Sequence, residues 1–475
     1  MKFLERVLIS LLVVAPVLFA GVVTLAPRPV QLTEAWDKVQ LYESNNQGEK
    51  ASPYYLTILE FQPWRTDLWE RIALNEYSAG NYAEAVTAYQ SAEESHKISL
   101  NGLFNLGSAY LQVGDLKAAS STWLRVTENE DIDVEKLALM TDQLWKSGDF
   151  ESAAKTAKRW SGKDPQSVQA AWTAGLLLST QSMEGAMPFL AAATNGDGIE
   201  AAQADQLLEV LGQAALQPNQ AYQMVIIGQR LADMELWDVA EEALQTAVKF
   251  DPGYAEAWAL LGEVRQQLAK DGWTPLLRAK TLNPESDVVI SALVLYWRRQ
   301  QKYDVALAYL RKLAGRYPDE GSWQLEIGST LVEAGDMIEA MAAYQRATEI
   351  ESDDPQNWQS LAVFSATYGF EVEFYSLPAI TRALELAPKD PQVLDAAGWV
   401  YLTSGDMEKA EQFLQLAIAE DGDFGEAKLH LAQVYIETNR LYLALPMLKD
   451  AVEEIDDRTL ALIAQRLLDK YFPGQ

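Results

Sequence analysis

From about Leu32 onward, apolar residues recur at three- and four-residue spacing in short stretches, which predicts amphipathic helices with one buried stripe each. The clearest stretch runs from Trp69 to Ala92. Its apolar stripe comprises Trp69, Ile72 and Ala73 in the first half and Ala85, Tyr89 and Ala92 in the second. Between the halves stands Gly80-Asn81, where glycine permits the positive φ of a helix stop and asparagine can cap the next helix. The stretch therefore predicts a helical hairpin.

The same offsets return along the chain, so the hairpin is a repeat. Gly-Asp pairs stand at the predicted turns of further copies, and Pro284 and Pro318 are 34 residues apart. The prolines at positions 63, 165, 252, 284, 318, 355 and 388 fall between units, where they do not interrupt a helix. The copies begin at or near Leu103, Ile227, Ile327, Ala397 and Leu431.

Four segments depart from the regular pattern. The repeat blurs over Ala171–Ala193, and Ile199–Pro218 is predicted to be a pair of atypical helices. The unit that begins at Trp258 is shortened, whereas Gly369–Leu377 lengthens the unit that begins at Trp358. These units either bend or divide the repeat array, or they reflect neutral drift in a tolerant architecture.

The repeat resembles the tetratricopeptide repeat, whose 34-residue pattern is a Trp, Leu-Gly, Tyr, Ala, Phe, Ala and Pro series. The resemblance covers nearly everything after Leu32. It implies an all-α, right-handed superhelical solenoid of stacked antiparallel helix pairs, about 12 units long, after one N-terminal hydrophobic helix. The predicted segments are an anchor or signal peptide (1–28), an N-terminal array (32–194), an irregular helical connection (195–220), a C-terminal array (221–455) and a capping helix (456–475).

Residues 7–26 are free of charge, and a helix of this length spans ~30 Å, the thickness of a bilayer's hydrocarbon core. Lys2 and Arg6 precede the segment, which favours an uncleaved anchor with its N-terminus in the cytoplasm. A cleaved signal peptide is the alternative, because Thr24 and Ala26 fit a small-x-small cleavage site. Both interpretations place the repeats outside the cytoplasm, either on the cell membrane or as a secreted or periplasmic protein.

A formal net charge of −30 leaves little room for the basic stripe that a nucleic-acid surface needs. Cysteine is absent, which excludes disulfides and thiolate metal sites. The two histidines, His96 and His430, are far apart in sequence, and no phosphate-binding glycine loop occurs. Glu351, Asp353 and Asp354 are better explained as a helix-capping loop than as a calcium site. We expect no catalytic residues, metal or cofactor, so the chain is predicted not to be an enzyme.

In proteins with this repeat, the first helix of each pair lines a concave groove. The matching register points six side chains into such a groove, and exposed aromatic clusters commonly mark binding surfaces. The predicted groove residues are Trp36, Leu74, Tyr77, Phe104, Trp145 and Trp399. The alternative is a register shifted by one residue, in which each ring belongs to the core.

Some proteins of this family clamp the C-terminal carboxylate of a chaperone with paired Lys and Asn residues. The corresponding positions here hold Glu70 and Leu74, Ala138 and Asp142, and Asp395 and Trp399, so that clamp is missing.

The sequence therefore predicts a non-catalytic scaffold or adaptor that binds other proteins, chiefly membrane or envelope proteins, and is attached to the membrane through residues 7–26. Three alternatives stay open. They are a permanent accessory subunit of one membrane complex, a secreted binding protein, and a component of surface-polysaccharide and envelope assembly whose aromatic rings stack on sugars. A shared repeat architecture does not choose among these roles.

Overall fold

The computed structural model describes residues 29–95, 98–455 and 457–474. These residues form 26 helices and no β-strand, as the period of the apolar stripe predicts. The predicted all-α solenoid is confirmed. The helices are α1 Val30–Ser44, α2 Gly48–Phe61, α3 Asp67–Ala79, α4 Tyr82–Ser95, α5 Leu100–Gln112, α6 Leu116–Thr127, α7 Val134–Lys146, α8 Phe150–Lys163, α9 Val168–Ser179, α10 Met183–Ala193, α11 Ile199–Ala215, α12 Gln220–Asp233, α13 Trp237–Phe250, α14 Ala255–Gln267, α15 Trp273–Leu282, α16 Asp287–Arg299, α17 Tyr303–Arg316, α18 Ser322–Ala334, α19 Met337–Ile350, α20 Pro355–Thr367, α21 Ser376–Leu386, α22 Pro391–Ser404, α23 Met407–Glu420, α24 Gly425–Glu437, α25 Leu441–Glu454 and α26 Arg458–Tyr471.

The helices fall into two compact units. Unit 1 comprises Met1–Asn219 and Ile226–Ala243, and unit 2 comprises Gln220–Val225 and Leu244–Gln475. In unit 1, α1 packs on α2, α3 on α4, α5 on α6, α7 on α8 and α9 on α10. In unit 2 the same pairing runs from α14–α15 to α24–α25, and α26 covers the last pair.

The predicted Gly-Asx turns end one helix and begin the next. Gly114 has φ +85°, a left-handed conformation that glycine adopts without strain. The following Asp115 accepts a hydrogen bond from the backbone N–H of Ala118, 3.0 Å away, and so caps α6. Asp149 and Asp336 cap α8 and α19 in the same way. The Gly-Asx pair therefore determines both where the first helix of a pair ends and where the second helix begins.

Small residues hold the two helices of a pair close together. Gly107 on α5 faces the indole of Trp123 on α6, and a Cβ at position 107 would overlap that ring. At Gly328 on α18, an added Cβ would lie 2.9 Å from the Tyr344 ring of α19. Trp123 is only 1% exposed. The glycine of the Leu-Gly element is therefore a packing requirement at these helix crossings.

Of the four predicted irregularities, two are confirmed and two are wrong. Ala171–Ala193 contains a regular pair, α9 and α10, in which an added Cβ at Gly175 would lie 2.6 Å from Leu190. Ile199–Pro218 contains one 17-residue helix, α11, which continues through Gly212 without a turn. The short unit contains the 10-residue α15, and a loop separates α20 from α21, as predicted.

The predicted anchor at residues 7–26 lies outside the described residues. Within the part of the chain that the structure describes, none of the helices has the length and apolarity needed to cross a membrane.

The close helix crossing predicts that Gly107→Ala lowers stability, because the Trp123 indole has to move within a packed core. Overpacking of this kind costs about 1–3 kcal/mol. Gly212→Ala is the matched control, since Gly212 lies in α11 of the same unit with open space around it. We expect that change to be neutral or to stabilise by roughly 0.5–1 kcal/mol. Urea denaturation followed by circular dichroism measures both, and equal midpoints for the two variants would contradict the packing argument.

Candidate protein-binding groove

A cleft of about 400 Å³ opens on the first-helix face of unit 1. It brings together two predicted groove residues, Leu74 of α3 and Phe104 of α5. The Leu74 side chain is 48% exposed, and the Phe104 ring is partly exposed. The lining consists of Glu70, Leu74, Tyr89, Ser99, Asn101, Gly102, Phe104, Asn105 and Lys136. We call this surface the α3–α5 cleft.

The core holds Phe104 in place. The indole N–H of buried Trp123 donates a hydrogen bond to the backbone carbonyl of Phe104 at 3.0 Å. The two ring centroids are 6.3 Å apart. The Phe104 ring therefore has one side on the core and the other on the cleft, with little freedom to move.

Charged side chains border the cleft, and each is engaged by a neighbour. The backbone N–H of Ser99, the N-cap residue of α5, lies 3.3 Å from the Glu70 carboxylate. Lys136 of α7 pairs with Asp133, and its Nζ lies 5.8 Å from the Phe104 ring centroid. At the base, burial raises the pKa of the Tyr89 hydroxyl to about 12, so it remains protonated at neutral pH. The cleft thus combines an apolar surface with the side-chain amides of Asn101 and Asn105, which can bond a peptide backbone.

Trp36 lies in a second cleft of about 300 Å³ between α1, α2 and α3. The Arg65 guanidinium stands over its ring at 5.3 Å from the centroid. Nearby, Tyr55 donates a hydrogen bond to Glu43, and Arg71 pairs with the same carboxylate at 3.4 Å. Trp36 is therefore exposed to a cleft, but not to the one that contains Leu74 and Phe104.

Tyr77 and Trp145 line neither of these clefts. Tyr77 packs on the core of unit 1 and meets Tyr82 edge to face, with ring centroids 5.7 Å apart. The indole N–H of Trp145 in α7 donates to the Asp238 carboxylate of α13 at 2.5 Å. This intramolecular bond already occupies the polar edge of Trp145.

In unit 2, Trp399 belongs to a cluster built from three first helices. Its indole N–H donates to Thr367 of α20 at 3.0 Å, and its ring centroid lies 4.9 Å from that of His430 on α24. The Nδ1 atom of His430 is 2.7 Å from a carboxylate oxygen of Asp395 on α22. We call these four residues the His430 cluster.

Burial opposes the charged form of His430, but the Asp395 carboxylate and, more weakly, Glu426 favour it. The net effect raises the pKa of His430 above its ordinary value. Sequence reasoning treated His430 as isolated. The missed signal is its 35-residue spacing from Asp395, which is close to one repeat and places both on neighbouring first helices.

Arg298 of α16 is a second contact between first helices that sequence reasoning did not find. It bonds Glu326 at 3.0 Å and also pairs with Glu333, both on α18. Among the residues the structure describes, no group of three His, Cys, Asp or Glu side chains is arranged to hold a metal ion.

These features define a helical-repeat protein with two clefts on the first-helix face of unit 1. The tetratricopeptide-repeat family model matches residues 71–130 and 292–355, and a second model of the same repeat matches residues 401–467. Tetratricopeptide repeats are therefore identified in these three segments of the chain. A search of curated proteins finds no significant match.

Solved structures of similar fold include yeast Tom70, at 14% identity over 93% of this chain and 95% of that chain, with a TM-score of 0.45. The anaphase-promoting-complex hetero-tetramer Cut9–Hcn1 matches at 13% identity over 98% and 99%, with a TM-score of 0.37. A tetratricopeptide-repeat protein from Parabacteroides merdae matches at 13% identity over 52% and 98%, with a TM-score of 0.42. Similarities at this level carry no conclusion about function.

The His430 cluster predicts an imidazole that titrates above its ordinary pKa of about 6.5. Because the folded pKa is raised, the His430–Asp395 pair contributes stability below the unfolded pKa and loses it as pH rises through the folded pKa. NMR titration of ¹³C-labelled histidine measures this, with His430→Gln for assignment. In Asp395→Asn the pKa should fall below the ordinary value, since burial remains while the carboxylate is gone. An unchanged titration in that variant would contradict the cluster.

Proposed function

We propose that this chain is a non-catalytic scaffold that binds a partner protein in the α3–α5 cleft of unit 1. The observation that carries the proposal is the meeting of Leu74 and Phe104 at one cleft. Both were expected at the groove from the repeat register, and both present apolar surface on rigid helices. Exposed apolar anchors on a fixed scaffold are the usual basis of protein recognition.

The chemistry of the cleft favours an extended, largely uncharged polypeptide segment. An apolar side chain of the partner would rest on Leu74 and Phe104, while the side-chain amides of Asn101 and Asn105 would bond its backbone. Glu70 and Lys136 already have neighbours within the chain, so an ionic partner group would have to displace them.

We further propose that residues 7–26 hold the scaffold at a membrane with the repeats outside the cytoplasm. What supports this is the uncharged length of that segment and the two cations before it, Lys2 and Arg6. A scaffold in that position would bind membrane or envelope proteins and raise their local concentration.

The cleft predicts that Leu74→Ala combined with Phe104→Ala weakens partner binding. Truncations that remove about 1 kcal/mol each lower affinity by roughly 30-fold together. Quantitative affinity capture of the tagged full chain from its native membrane measures this. The control is Ile199→Ala with Leu216→Ala, two apolar residues of the α11 region that are 74% and 83% exposed.

Phe104 also packs on the core, so the single variant Leu74→Glu serves as a second test with less risk to folding. It places a charge on the apolar surface and should abolish capture, while circular dichroism remains that of the wild type. Capture that is lost equally in the Ile199 and Leu216 control would contradict the assignment of the cleft.

The membrane proposal predicts that the mature chain retains Met1 and sediments with membranes. Intact-protein mass spectrometry of the native material measures the N-terminus directly. A chain that begins near Gly21 or Pro27 and remains in the soluble fraction would instead indicate a cleaved, secreted binding protein.

A further inference from the structure

The loop between α2 and α3 presents a tryptophan to solvent in a fixed position. Trp64 is 70% exposed. The next residue, Arg65, is held twice: its guanidinium pairs with Asp67 at 2.8 Å and stands over the Trp36 ring of α1. The Arg65 backbone N–H also donates to the Gln62 carbonyl at 3.0 Å. The Trp64 indole therefore presents most of its surface to solvent from an ordered loop.

This loop lies at the end of the first repeat where α1 begins. Helix α2 runs antiparallel to α1 and returns the chain to that end, where α3 starts at Asp67. The contact between Arg65 and Trp36 places the loop beside the first turns of α1. Val30, the first residue of α1, is 71% exposed at the same end. We call the surface formed by Val30, Pro63 and Trp64 the entry rim.

The length of the chain before α1 limits how far the entry rim can lie from a membrane. The uncharged segment ends at Ala26, and the four residue steps from there to Val30 span at most about 14 Å. The opposite turn of the same repeat, at Gln47, is one 15-residue helix away, or about 22 Å. Of the two ends of the first repeat, the entry rim is therefore the one the anchor keeps near the bilayer surface.

We propose that the entry rim rests on the bilayer, with the Trp64 indole in the interfacial region of phospholipid head groups. This inference rests on the proposed membrane anchor. Tryptophan favours that region because its ring is apolar while its N–H can bond water and head groups. The contact would add a second attachment point beside the anchor and so set the direction in which the first repeat leaves the membrane.

Depth-dependent fluorescence quenching tests the proposal on the full-length chain. The sequence contains no cysteine, so one engineered cysteine carries a single environment-sensitive label. Pro63→Cys reports on the loop with Trp64 in place, and Gln47→Cys is the matched control at the opposite end of the same repeat. Both proteins are reconstituted into phosphatidylcholine vesicles with and without doxyl-labelled lipid, and flotation verifies membrane attachment.

We expect doxyl lipid to quench the label at position 63 and to leave the label at position 47 unaffected. Adding Trp64→Ser to the Pro63→Cys chain should reduce the quenching at 63, because the indole holds the loop at the interface. Equal quenching at the two positions, or no effect of Trp64→Ser, overturns the rim contact while flotation still supports the anchor. A chain that does not float with the vesicles overturns the anchor and the rim contact together.

Discussion

The architecture depends on how closely the two helices of each repeat approach one another. That approach requires a small residue at one point of the crossing: Gly107 faces Trp123, Gly328 faces Tyr344, and the fully buried Ala73 holds the corresponding position of the α3–α4 pair. Because the same requirement recurs from repeat to repeat, the helix pairs have nearly the same geometry. Within each compact unit, the first helices then present corresponding positions to one face, so a surface that can bind a partner follows from helix packing alone.

The core and the proposed binding surface share residues. Trp123 fills the space above Gly107 and bonds the carbonyl of Phe104, whose ring borders the α3–α5 cleft. Ser99 is the N-cap residue of α5, and its backbone N–H lies 3.3 Å from the carboxylate of Glu70 in the preceding repeat. The stability of unit 1 and the shape of the cleft therefore have common causes, which is a form of preorganisation that lowers the entropy lost on binding.

The spacing of small and large residues was sufficient to predict the helix pairs and their Gly-Asx turns. It failed where contacts cross repeats. No spacing rule indicates that Asp238 bonds Trp145 across 93 residues, or that Arg65 covers Trp36. The His430 cluster was not predicted because its members belong to different repeats of unit 2 and become neighbours only when the repeats stack. The repeat period predicted two helices over Ile199–Pro218, but this segment contains the single helix α11, which no turn interrupts.

The proposed function depends on the binding of a partner protein at the α3–α5 cleft of unit 1. Site-specific photo-crosslinking in native membranes tests it most directly, with a photoreactive residue at Leu74 or at Leu56. Leu56 is the matched control, because it is 44% exposed against 48% for Leu74 but lies on the second helix α2. We expect a discrete crosslinked partner from position 74 and none from position 56. Crosslinking of the same partner from position 56 alone would contradict binding at the α3–α5 cleft.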